Sequence, residues 1–97
     1  MSKSKSYHED LIESLRNPRE AEAYLNAALE EEDPELFLLA LRNVAEAQGG
    51  VAQLAEKAKL NRESLYKMLS ERGNPELRSL EALLHALGFR LAVTATR

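Results

Sequence analysis

The chain has 97 residues, 13 Lys+Arg against 16 Asp+Glu, two histidines and no cysteine. That length fits one small domain with a modest core, and a second subunit would help to bury it. The absence of cysteine removes disulfide frameworks, thiolate metal sites and thiol nucleophiles. No apolar run reaches the roughly 20 residues of a membrane span. With only His8 and His85 there is little material for a catalytic or metal-binding cluster, so the chain is read as no enzyme, with no cofactor and no metal.

In chain order, residues 1–7 are basic without an apolar stretch behind them and are read as no signal peptide. A cytoplasmic address is the expectation. Tyr7, Leu11 and Leu15 make a short first stripe and a marginal first helix. Asn17-Pro18 then places a capping residue before proline, and Ala21, Tyr24, Leu25, Ala28 and Leu29 recur with the helical period through residues 18–31. Asp33-Pro34-Glu35 repeats that start signal for a helix over 36–48, which Gly49-Gly50 stops. Residues 51–58 form a short helix. Residues 61–72 form another, closed by Gly73, and Asn74-Pro75-Glu76 opens a helix over 75–87 that ends at Gly88. Its leucines lie on one arc and read as core. Residues 89–95 switch to a two-residue period, the pattern of a lone strand. Phe89, Leu91, Val93 and Ala95 would share one face and cover the leucine helix; Arg90, Ala92, Thr94 and Thr96 would face solvent.

Charge divides the chain. Residues 1–48 carry 5 Lys+Arg and 11 Asp+Glu, a balance of −6; residues 49–97 carry 8 and 5, a balance of +3. A basic half suits nucleic acid and an acidic half suits a basic protein. The acidic half is the expected docking side for such a partner, and its stripe of Tyr24, Leu25, Ala28 and Leu29 needs a cover, either the domain's own core, which is favoured, or a partner's groove. Glu30 to Glu35 lacks the spaced ligands and glycine of a calcium loop, and Gly49-Gly50 lacks the continuation of a phosphate loop.

The segment that carries function is 51–70. Two short helices meet at Lys59-Leu60-Asn61. Leu54, Ala58, Leu60, Leu65 and Met68 are spaced to face inward, with the small Ala55 where the helices cross. This is the helix-turn-helix pattern, whose second helix enters the major groove. Asn61 is its natural N-cap. The turn position that glycine often fills is Lys59, at a cost of about 1 kcal/mol for a side chain at positive φ. On the outer face Glu63, Lys67 and Ser70 point away from the core, flanked by Arg62, Ser64 and Tyr66. Arg and Lys donate to guanine, Glu accepts from cytosine, and Ser and Tyr bond phosphates.

The run from Asn61 to Leu77 (NRESLYKMLSERGNPEL) resembles addiction-module antidote proteins, HigA-like antitoxins of the Xre or lambda-repressor-like class. So do the stretch from Tyr24 to Leu41 and the ending from Leu80 to Gly88. The resemblance implies a mostly α, lambda-repressor-like bundle of about five helices. It would have an N-terminal helical extension over 1–32, a helix-turn-helix domain over 33–88 and a C-terminal strand over 89–97. It also implies an antitoxin that neutralises a small, basic ribonuclease toxin of the RelE/ParE superfamily and represses its own operon by binding operator DNA. The DNA-reading role then falls on Arg62, Glu63, Ser64, Tyr66 and Lys67. The first helix starts Val51-Ala52, without the Gln or Thr that holds phosphate in relatives, which leaves Gln53 as the substitute. A homodimer is expected to form through Phe89, Leu91 and Val93 of the strand. The competing reading is a helical inhibitor that binds protein and no DNA, which the overall acidity favours.

Overall fold

The structure, a computed structural model, describes residues 6–70 and 72–96. The basic opening residues 1–5 lie outside the described residues, as does Glu71. Six helices follow one another: α1 (Tyr7–Ser14), α2 (Pro18–Glu30), α3 (Pro34–Ala47), α4 (Val51–Ala58), α5 (Arg62–Met68) and α6 (Leu77–Ala86).

The helix starts follow local chemistry. Asn17 Oδ1 accepts from the amides of Arg19 and Glu20, and Asp33 Oδ1 accepts from that of Glu35, each just before a proline in the first turn. The short α1 has a full capping box. The Ser6 hydroxyl accepts from the Glu9 amide at 3.1 Å, and the Glu9 carboxylate accepts from the Ser6 amide at 3.0 Å. That satisfies two of the amides that a helix start leaves open.

One core cluster runs through the bundle. Leu15, Ala21, Leu25 and Ala28 of the N-terminal segment pack with Leu38, Leu41 and Val44 of α3, Leu54 and Ala55 of α4, Leu65 and Met68 of α5, and Leu83 and Leu84 of α6. Of the stripe on α2, Leu25 and Ala28 are therefore core, Tyr24 is half-buried and Leu29 stands 51% exposed. Helix α3 packs on α1, α2 and α4, while α4 packs on α5 and α6. Polar ties leave α3 as well. Asn43 Nδ2 donates to the Tyr24 hydroxyl at 2.9 Å, Arg42 Nη1 to the Leu69 carbonyl at 3.1 Å and Gln48 Nε2 to the Leu87 carbonyl at 3.2 Å. Glu46 Oε1 meets His8 Nε2 at 3.2 Å.

Three expectations are corrected. Helix α5 ends at Met68, short of residue 72. The Ser70 hydroxyl donates to the Lys67 carbonyl at 2.7 Å, and the Arg42 guanidinium holds that of Leu69, so side chains replace the amides that would have continued the helix. Helix α6 starts at Leu77 with Glu76 as its cap, so Asn74 caps nothing. Gly73 lies against the Met68 carbonyl, and residues 74–76 cross the end of α5 without regular structure before the helix can begin.

The third correction is the C-terminal strand. Among the described residues there is no strand, and residues 89–96 have no regular structure. Phe89 donates its amide to the Leu84 carbonyl at 2.7 Å and is half-buried on the core. Beyond it, Leu91 is 40% and Val93 99% exposed, so these two do not cover α6. A ladder needs a second edge, and this chain offers the tail none.

Candidate nucleic-acid interface

The turn between α4 and α5 is closed by its own backbone. Lys59 adopts the left-handed conformation, φ 58° and ψ 42°. The Leu60 amide then reaches back to the Ala55 carbonyl at 2.9 Å, the long bond of a helix end with a left-handed cap. Leu60 is left half-buried against the core, with Ala55 just 3% exposed beneath the crossing. Two residues on, Asn61 Oδ1 accepts from the Ser64 amide at 3.0 Å and starts α5. Leu65, Met68 and Leu69 anchor that helix, at 1%, 9% and 1% exposure.

With that side fixed, the other side of α5 has to face water. Arg62, Glu63, Ser64, Tyr66 and Lys67 are all exposed. Seven residues span about 10 Å, enough to cross three base pairs. Ser70 departs from the expected arrangement: it lies past the helix end, half-buried, with its hydroxyl engaged by Lys67. Gln53 is exposed in the first turn of α4. That helix begins at Gly50, φ 101°, with no side-chain cap, so its first amides are not taken by a capping oxygen. The Gln53 side-chain amide folds back over Gly49, beside that open end. Phe89, Leu91 and Val93 are not part of this face; they sit beyond α6.

The local charge is basic although the chain is acidic. Between residues 57 and 67 the charged side chains are Lys57, Lys59, Arg62 and Lys67 against Glu63, and all are exposed. A cleft of about 610 Å³ beside α5 is lined by Ser64, Lys67, Arg72, Asn74 and Ser79 among others. The sequence reading missed the last three. Arg72 carried the right charge, but it had been placed inside a helix. Glu30, Glu31, Glu32, Asp33 and Glu35 are exposed around the turn between α2 and α3. No helix among the described residues is long and apolar enough to cross a membrane.

This arrangement fits an all-α bundle of the helix-turn-helix kind. A family model described as "probable addiction module antidote protein" matches residues 5–95, and the chain belongs to that family. The chain is also 38% identical over 88 residues to an uncharacterized protein of Haemophilus influenzae, covering 91% of this chain and 90% of the relative. No solved structure matches.

Proposed function

We propose that this chain is the antitoxin of a type II toxin–antitoxin operon. It neutralises a small, basic RelE/ParE-superfamily ribonuclease and represses its own promoter in the cytoplasm as a DNA-binding homodimer. The observation that carries the DNA part is the exposed face formed by the end of α4, the turn and α5, four cations against one acid between residues 57 and 67, with α5 held on its buried apolar side after a capped, tight turn. Lys67 and Arg62 are the donors to base edges and phosphate, Glu63, Ser64 and Tyr66 complete the readout, and Gln53 holds a phosphate at the open end of α4. Membership in an antidote family supports the toxin partner. The acidic turn between α2 and α3 is the complementary surface for it.

Dimerisation places two copies of α5 on a palindromic site, and the exposed Leu91 and Val93 supply the contact. The purely protein-binding alternative rests on the net charge of −3, but that charge is concentrated away from α5.

Fluorescence anisotropy on a duplex from the chain's own promoter tests the DNA reading. Lys67→Ala is expected to lose about 1–3 kcal/mol and to relax preference at one base position. Arg62→Ala is expected to weaken all sequences alike and to lower the salt slope by about one. If both variants bind like the parent, the reading of α5 is wrong.

A further inference from the structure

Helix α5 has seven residues and two ends to fix. The turn at 59–61 fixes the first. At the second, Met68 and Leu69 are buried but the helix stops there, and among the described residues Leu69, Ser70 and residues 72–76 carry no helix or strand to brace it. The polar tie there comes from elsewhere in the fold. Arg42, half-buried on α3, donates from Nη1 to the Leu69 carbonyl at 3.1 Å, 27 residues away in sequence. A guanidinium at a helix C-terminus meets the negative end of the helix dipole, and the bond is charge-assisted. Its neighbour Asn43 is bonded to Tyr24 of α2, and Gln48 to Leu87 beyond α6, so Arg42 projects from a helix held on both sides.

The lever is short but the tolerance is shorter. A tilt of about 10° about the 59–61 turn moves the far end of a helix about 10 Å long by nearly 2 Å. Hydrogen bonds to base edges fail within a few tenths of an ångström beyond 3.2 Å. Phosphate contacts by flexible lysine and arginine stems adapt to such a shift, and base contacts do not.

We infer that Arg42 is a positioning residue that sets the tilt of α5, and so governs how well the protein tells its operator from other DNA without itself touching the DNA. This rests on the DNA-binding reading above. The test compares binding to the chain's own promoter duplex with binding to a scrambled duplex of equal length, by anisotropy at fixed salt. It uses the full-length parent, Arg42→Met, which keeps the apolar stem, and Arg42→Lys, which keeps the charge.

The ratio of the two affinities is expected to fall at least tenfold in Arg42→Met. Binding to the scrambled duplex should stay within twofold of the parent. Arg42→Lys is expected to restore the ratio to within threefold of the parent. Circular dichroism establishes that each variant is folded at the assay temperature; if Arg42→Met is not, Arg42→Gln takes its place with the same thresholds. A folded neutral variant with the parent's ratio overturns the inference alone. A parent that prefers neither duplex overturns the DNA reading and the inference with it.

Discussion

Lys59→Gly should stabilise the protein, although it removes a side chain from a turn that the fold depends on. Lys59 sits at φ 58° and ψ 42°, where a Cβ crowds the following carbonyl. That conformation costs a residue with a side chain about 1–2 kcal/mol. Glycine relieves the cost but gives up about 0.5–1 kcal/mol more backbone freedom on folding. The Lys59 side chain is exposed, so little packing is lost with it. The balance favours glycine by about 0.5–1 kcal/mol, which raises Tm by roughly 2–8 °C for a domain of this size. Thermal unfolding followed by circular dichroism reads that shift. Lys59→Ala is the control, since it removes the charge and keeps the Cβ, and its Tm should stay within about 1 °C of the parent. If Lys59→Gly melts at or below the parent, or if Lys59→Ala gains as much, the backbone at residue 59 is not the source of strain.

Gly73→Ala should do the opposite. A Cβ there would overlap the Met68 carbonyl and lie 3.0 Å from that of Lys67, both backbone atoms at the end of α5. A loss of about 1–3 kcal/mol in chemical denaturation is expected, and an unchanged midpoint would show that the loop has room to move. The tail should carry the dimer. Light scattering on the intact chain should give about 22 kDa, twice its 10.9 kDa, and a chain ending at Phe89 should be a monomer. A truncated dimer would place the contact elsewhere.

The two-helix unit was legible because its signals are local. Asn61 caps its own helix, Lys59 closes its own turn, and the spacing of Leu54, Leu65 and Met68 selects one buried side whatever surrounds it. Helix starts at Asn17 and Asp33 were legible for the same reason. The end of α5 was not, since it depends on Arg42, a residue far away in sequence, and on a hydroxyl that competes for a carbonyl. The Asn-Pro pair at 74–75 looked like the start at 17–18. Here, however, the chain must first pass Gly73 across the end of α5. The strand was over-read. Alternation in residues 89–95 says which side chains share a face once the segment is extended, and says nothing about where a second edge is found. The cleft residues Asn74 and Ser79 had no sequence signal, because only the loop's path brings them beside Lys67.

The hydrogen bond between Asn43 and Tyr24 bears on how the helices choose their alignment. Around it the contact between α2 and α3 is aliphatic, with Leu25, Ala28, Leu38 and Leu41. Aliphatic ridges are nearly alike one turn further along, so two such helices could slide by a turn and find comparable contacts. Asn43, 8% exposed, breaks that degeneracy. In its native place its amide meets the tyrosine hydroxyl at 2.9 Å. One turn further along α2 it would meet Ala28 instead of the tyrosine hydroxyl and lose its partner, at a cost of about 1–3 kcal/mol. Tyr24→Phe together with Asn43→Leu would keep the bulk and erase this index mark. The pair thus acts like the notch on a key, contributing less to how firmly the helices adhere than to which single alignment they accept.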